Sequence, residues 1–128
     1  MKIKGMFPAI TCKNSDELIK FACENFGFHV EHRPHAVMSE NESDRCNILK
    51  TEDGIRFDVI QYDVDAPMCG MCINVDDFEE ALSVFIKDGY EKVTEPVIVD
   101  NSKKALLAKV DNIPILLIQH YIKEAENN

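Results

Sequence analysis

The sequence predicts an α+β fold in which two tandem βαβββ modules form a single domain over residues 1–128. One phrase occurs twice: the stretch from Met71 to Tyr90 holds an apolar run, an acidic turn, an amphipathic pattern and a glycine, and the stretch ending at Gly27 follows the same order. A repeat of about half the chain indicates two copies of one structural unit. A chain of 128 residues with 45% apolar content can also bury one substantial core, but hardly two independent ones.

The two predicted helices, at residues 15–26 and 78–87, share their start and stop signals. Asn14 and Asp77 stand at the N-cap positions, each with a glutamate three residues later, which predicts capping boxes. Apolar residues then recur at helical spacing in both segments. A glycine follows each helix, as expected for a left-handed C-cap.

The remaining segments have strand patterns separated by turns. In the first module, residues 5–62, the predicted strands are 6–12, 28–38, 46–50 and 55–62, with a hairpin turn at Asp53-Gly54. Residues 63–67 form the predicted linker. In the second module, residues 68–121, the predicted strands are 68–75, 91–99, 104–110 and 114–121. The polar tail 122–128 is expected to fray.

Charge and composition exclude several classes of partner. A net charge of −9 with only 14 lysines and arginines argues against nucleic acid, because phosphate-backbone binding depends on clustered cations. No run reaches the roughly 18 apolar residues of a membrane span, and no signal-peptide cleavage site is present, so we expect a cytoplasmic protein without a membrane partner. The five cysteines are expected to be reduced and structural.

Two βαβββ modules with this order of strand, cap, helix and glycine, and with phrases such as Phe26-Gly27-Phe28 and Asn74-Val75-Asp76-Asp77, resemble the vicinal oxygen chelate superfamily. That superfamily includes glyoxalase I, extradiol dioxygenases, and fosfomycin- and bleomycin-resistance proteins. The resemblance covers residues 5–121 and implies curved sheets that form a cleft. It also implies a homodimer in which the cleft walls come from two subunits.

The metal-dependent members carry one ligand on each of the first, fourth, fifth and eighth strands. The resemblance puts these positions at Phe7, Asp58, Gly70 and Leu116, of which only Asp58 could bind an ion. Because divalent ions need three or four donors, we expect no metal and no other cofactor.

Two other groups of residues have ligand-like chemistry. Cys69 and Cys72 have the spacing of zinc and redox sites, but on a strand they would point to opposite faces. His29, His32 and His35 cluster on the second predicted strand, which Pro34 marks as an edge or a bulge. We expect both groups to be structural.

Alternation along the strands predicts which residues line the cleft, because neighbours two apart share a face. The opposite parity is almost wholly apolar and is expected to pack against the helices. The ligand-binding residues predicted in this way are Phe7, Thr11, Arg56, Asp58, Tyr62, Cys72, Leu116 and His120.

The favoured function is a metal-independent, non-enzymatic protein that sequesters an aromatic or cationic small molecule by stacking on Phe7 and Tyr62 near Asp58. One alternative is a divergent lyase, isomerase or dioxygenase whose ion is held by Asp58, His35 and His120. Another is a structural or regulatory module whose cleft is filled by its own side chains. Catalysis without a metal would use Asp58 with His120, or Cys72 as the thiol.

Overall fold

The computed structural model describes residues 1–31, 45–99 and 101–120. Within these residues the chain forms two helices and nine strands, and both helices have the predicted bounds. The elements in chain order are β1 (Ile3–Cys12), α1 (Ser15–Phe26), β2 (His29–Glu31), β3 (Arg45–Lys50), β4 (Arg56–Gln61), β5 (Met68–Val75), α2 (Phe78–Lys87), β6 (Glu91–Lys92), β7 (Val97–Val99), β8 (Ser102–Ala108) and β9 (Ile115–Gln119). None of these helices is long and apolar enough to cross a membrane.

The strands form one mixed sheet that curls into a half-barrel, which confirms the predicted α+β fold. Its order is β2-β3-β4-β1-β5-β9-β8-β6, and β7 pairs with β8 outside this path. The two halves of the chain join where β1 and β5 pair antiparallel, with Phe7 opposite Cys72. The concave face of the sheet therefore draws on both halves of one chain.

The two faces of the sheet separate as the strand alternation predicted. One apolar cluster packs under α1 and includes Cys12, Leu49 and Val59. A second packs under α2 and includes Ile73, Val75, Ile115 and Leu117. The third cluster lies on the opposite, concave face and consists of Ala9, Cys46, Ile60, Cys72, Leu106, Leu116 and Ile118.

The helix ends differ in one respect from the expected pattern. The Asp77 carboxylate accepts a hydrogen bond from the Glu80 backbone N–H at 3.0 Å, as predicted for α2. Asn14 makes no side-chain cap bond, so the predicted cap of α1 is wrong. Its φ of −100° and ψ of 53° depart from the extended backbone that caps usually adopt. Gly27 and Gly89, with φ of +72° and +101°, have the expected left-handed conformation.

The predicted strand at residues 91–99 is wrong as a single element, because it divides into β6 and β7. Val93 and Thr94 both donate backbone N–H groups to the Leu106 carbonyl, at 2.8 and 3.4 Å, so two residues oppose one as in a bulge. The Thr94 hydroxyl accepts the Leu106 N–H at 3.0 Å, and Pro96 has no N–H to continue the ladder.

Some predictions concern residues outside the described ranges. The second predicted strand is described only as His29–Glu31, and His32 and His35 lie beyond it. The tail at residues 122–128 and Tyr121 also lie outside the described residues.

Pro8 sets the extent of the pairing between β1 and β4. These strands are in register only from Ala9 to Cys12. Met71, opposite Pro8 on β5, donates its N–H away from β1 to the Pro114 carbonyl at 3.0 Å, so the Pro8 nitrogen points towards β4, where it has no proton to donate. Arg56, at the start of β4, therefore lies beyond the ladder.

Candidate ligand site on the concave face

Five of the predicted site residues come together near the centre of the concave face. Phe7 on β1 is opposite Cys72 on β5, which is level with Leu116 on β9. The Arg56 guanidinium carbon lies 3.6 Å from the centroid of the Phe7 ring, and Asp58 binds the same guanidinium. The sheet register thus assembles a central region from four strands.

Three other predicted residues lie away from this region. Tyr62, which follows β4, is about 20 Å along the strand from Arg56 at roughly 3.3 Å per residue, and Thr11 lies towards the same end. His120, which follows β9, lies towards the opposite end, where its Nδ1 is 2.8 Å from the Ser102 hydroxyl. Asp58 and His120, which would form the acid–base pair, are not brought together: Asp58 binds Arg56 near the centre of the face, and His120 contacts Ser102 towards one end.

Burial divides the predicted residues into two groups. Thr11, Asp58, Cys72 and Leu116 are at most 1% exposed and form the floor of the concave face. Phe7, Arg56, Tyr62 and His120 keep intermediate exposure. Only the second group offers accessible surface to a ligand in this conformation.

The main electrostatic feature is a buried ion pair within β4. Arg56 Nε donates to Asp58 Oδ1 at 3.0 Å, and Arg56 Nη2 donates to Asp58 Oδ2 at 3.1 Å. The two side chains are 10% and 0% exposed. Burial lowers the pKa of Arg56, but the hydrogen bonds and charge of Asp58 raise it by more, so the net shift is upward and Arg56 stays cationic. A cationic ligand would have to displace Arg56 to reach the carboxylate.

Two thiols complete the surroundings of Asp58. The Cys46 thiol donates to Asp58 Oδ2 at 3.9 Å, and the Cys72 thiol donates to Asn74 Oδ1 at 3.8 Å. Burial, followed by the proximity of Cys46 and Asp58, raises the pKa of Cys72 well above its ordinary value. A thiol that holds its proton is a poor nucleophile, so Cys72 does not have the chemistry of an activated cysteine.

The raised pKa of Cys72 predicts a loss of stability in alkaline solution. Above the ordinary thiol pKa of about 8.5, the unfolded chain releases a proton that folded Cys72 retains, so the free energy of unfolding should fall as pH rises. Below that pH the contribution is fully present. Urea unfolding under reducing conditions should show a shallower alkaline decline for Cys72→Ala. Cys69→Ala removes an exposed thiol from the same strand and should keep the wild-type decline; equal declines in all three proteins would contradict the assignment.

The four positions implied by the resemblance do not fit a metal ion. Phe7 and Leu116 have no donor atoms, and Asp58 is engaged by Arg56. Gly70 has no room for a ligand side chain, since a Cβ there would lie 2.1 Å from the Pro114 carbonyl oxygen. Across residues 1–31, 45–99 and 101–120, no three His, Cys, Asp or Glu side chains are grouped so that they could hold an ion.

The Cys69–Cys72 spacing does not create a metal site either. Cys69 is exposed and pairs with Ile10, on the helix-side face, whereas Cys72 is fully buried on the concave face. The two sulfurs lie on opposite faces of β5, as predicted. All five cysteines are free thiols.

Two residues near the site were not predicted. Cys46 was missed because alternation was followed on the first, fourth, fifth and eighth predicted strands but not on the third, where it pairs with Ile60. Asn74 lies two residues after Cys72, on the same face of β5, but was not selected; a Cβ built on Gly5 would lie 3.4 Å from its amide nitrogen.

Comparison with solved structures shows that the chain has the vicinal oxygen chelate fold, which confirms the resemblance. Two glyoxalase I variants from maize (Zea mays) match with TM-scores of 0.63 and 0.66 at 21% identity, over 93% of this chain and 44% of theirs. This chain therefore spans less than half the length of those enzymes. Methylmalonyl-CoA epimerase from Mycobacterium tuberculosis matches with a TM-score of 0.62 at 15% identity, over 97% of this chain and 93% of the epimerase.

A glyoxalase/bleomycin resistance protein/dioxygenase superfamily member from Vibrio splendidus matches with a TM-score of 0.56 at 15% identity, over 92% of this chain and 99% of the other. No protein-family model and no curated protein match the sequence. Identities this low show a common fold and leave the function to be inferred from the site.

Proposed function

We propose that this protein binds a small molecule, without a metal ion, at the centre of the concave face. The observation that carries the proposal is the Arg56–Asp58 ion pair stacked on Phe7. In this pair a cation of the chain itself lies beside Phe7 and Asp58, two of the positions that the resemblance assigns to metal ligands. An apolar ring with a few fixed polar groups beside it is the usual lining of a small-molecule site.

The geometry changes the expected ligand in two ways. Asp58 is already neutralised by Arg56, which removes the reason to expect a cation. A single small molecule also cannot stack on both Phe7 and Tyr62, because the latter lies about 20 Å along β4 from the Arg56–Phe7 contact. We therefore place the ligand against Phe7 and Arg56 alone.

One observation favours a second candidate, a structural module without a ligand. The floor residues Thr11, Asp58, Cys72 and Leu116 are almost completely buried in the chain itself. A cleft filled by its own side chains would have this property.

Thermal-shift screening with elemental analysis separates these functions. A ligand at a hundred times its Kd should stabilise the protein by about 2.7 kcal/mol, and the same shift should remain in the presence of a chelator. Stoichiometric retention of zinc, nickel or iron, or a ligand effect that requires one of them, would instead support the metal-dependent enzyme. If no aromatic, cationic, neutral or anionic compound shifts the melting temperature, the result would support the structural module whose cleft is filled by its own side chains.

In the same proposal the protein is a homodimer, as the resemblance implies, and it is located in the cytoplasm. Its partner is a small molecule, with no role for nucleic acid or a membrane.

A further inference from the structure

We infer that the ligand carries a carboxylate group, and that Arg56 binds this group through the outer edge of its guanidinium. The inference rests on the proposed function and names the chemical class of its ligand. It replaces the expectation of a cationic compound.

The guanidinium of Arg56 has one edge in use and one edge available. An arginine presents two planar edges, Nε with Nη2 and Nη1 with Nη2, and each matches the two oxygens of a carboxylate. Asp58 occupies the first edge, at 3.0 and 3.1 Å. No hydrogen bond joins Nη1 to another residue in the described part of the chain. The second edge can therefore donate two hydrogen bonds to one more carboxylate in the same plane.

The position of this edge is fixed before any ligand arrives. Asp58, which is fully buried, holds the guanidinium on one side, and the Phe7 ring lies 3.6 Å beneath it. A donor that is already held in place loses little conformational freedom on binding, which favours affinity.

Asn74 supplies a second donor near Phe7. A Cβ built on Gly5 would lie 2.9 Å from Phe7 Cε2 and 3.4 Å from Asn74 Nδ2, so the ring edge and the amide nitrogen converge above Gly5. The Asn74 side-chain oxygen already accepts a hydrogen bond from the Cys72 thiol. The amide N–H groups of Asn74 therefore point away from Cys72. Asn74 is therefore a second polar donor in the neighbourhood of the Phe7 ring, on the strand next to β1.

The charges of the concave face do not oppose an anion. By strand register, its described residues include three cationic side chains, Arg56, Lys50 and Lys104, and three acidic ones, Asp58, Glu31 and Glu91. The chain as a whole carries a net charge of −9. This face is therefore close to neutral within an acidic protein, and it repels an anionic ligand less than the rest of the surface does.

The test uses three probes with the same aromatic body: phenylacetate, phenylacetamide and phenethylammonium. In titrations followed by NMR, wild-type protein should bind phenylacetate about tenfold more tightly than either of the other two. Arg56→Lys keeps the charge but loses the planar fork, and should lose most of this preference. Lys92→Gln removes a cation that is paired with Leu107 on the opposite, helix-side face, and should change the preference little.

Asp58→Asn should change the affinity in opposite directions in an anion-binding site and in a cation-binding site. The asparagine side chain keeps an oxygen that can accept a hydrogen bond from Arg56, so the guanidinium stays in place. Because the negative charge of Asp58 no longer offsets that of Arg56, phenylacetate binding should tighten several-fold. In a cation site, the same change would weaken phenethylammonium. The wild-type comparison needs no variant, and Arg56→Gln with Asp58→Asn removes both charges together, so poor folding of one single variant does not prevent a decision.

Tightest binding of phenethylammonium, or weaker phenylacetate binding in Asp58→Asn, would overturn the inference. Equal binding of all three probes, unaffected by Arg56→Lys, would overturn it but leave a small-molecule site in place. If no probe binds and no compound in the thermal-shift screen stabilises the protein, the proposed function is overturned as well.

Discussion

Arg56→Met is expected to destabilise the protein by about 3–5 kcal/mol, because it leaves a fully buried carboxylate without its charged partner. The two hydrogen bonds from Arg56 are lost together. Hydration cannot replace them, because Asp58 is 0% exposed. Equilibrium unfolding in urea measures the change.

The double variant Arg56→Met with Asp58→Asn provides the matched comparison. It removes the uncompensated charge, so it should recover a large part of the lost stability, and the thermodynamic cycle should show strong coupling between the two positions. Lys50→Met serves as a control, because its partner Glu31 lies 3.6 Å away in a more exposed pair. A cost below about 1 kcal/mol for Arg56→Met, or a double variant less stable than either single one, would contradict the importance of the pair.

Gly70→Ala is expected to cost about 3 kcal/mol or to prevent folding, which is large for the addition of one methyl group. The new Cβ would lie 2.1 Å from the Pro114 carbonyl oxygen. This oxygen belongs to the backbone and accepts the Met71 N–H at 3.0 Å, so it cannot move without breaking the junction between β5 and β9. Gly70→His, which would put a metal-ligating side chain at a position that the resemblance assigns to a ligand, should destabilise the protein further.

Gly5→Ala is the control for this prediction. The atoms nearest to its Cβ would be side-chain atoms, at 2.9 Å for Phe7 Cε2 and 3.4 Å for Asn74 Nδ2, and these can shift. We expect a loss of about 1 kcal/mol, measured in the same unfolding experiment. Equal losses for the two variants would show that the contact with Pro114 is not the reason for the glycine at position 70.

Most of the fold could be predicted because it depends on local periodicity. The helices at Ser15–Phe26 and Phe78–Lys87 have strong apolar stripes, and alternation correctly assigned the helix-side residues of the central strands. The failures occurred where tertiary contacts override a local pattern. The segment after α2 is divided by hydrogen bonds between Thr94 and Leu106, and the backbone of Asn14 does not reach the geometry of a cap.

The sequence predicted which residues share the concave face, but not which of them are exposed to solvent. Alternation placed Phe7, Arg56 and Asp58 on one side, and the spacing of two between Arg56 and Asp58 made their pairing foreseeable. Cys72 and Leu116 are buried rather than accessible to a ligand. Their burial depends on the curl of the whole sheet, which cannot be predicted from a short segment. The close approach of Pro114 to Gly70 likewise comes from a strand far along the chain.

The central position of β1 has a consequence for synthesis of the protein. Among the strands of the described sheet it is made first, yet its two neighbours, β4 and β5, lie further along the chain, at Arg56–Gln61 and Met68–Val75. At about 5–20 residues per second, a ribosome needs several seconds to deliver β5 after β1 has emerged. During that interval the nascent chain has an open sheet edge, of the kind that invites pairing with other chains. A product truncated before Met68 would keep this edge permanently, so premature termination should yield aggregates rather than a stable half-protein.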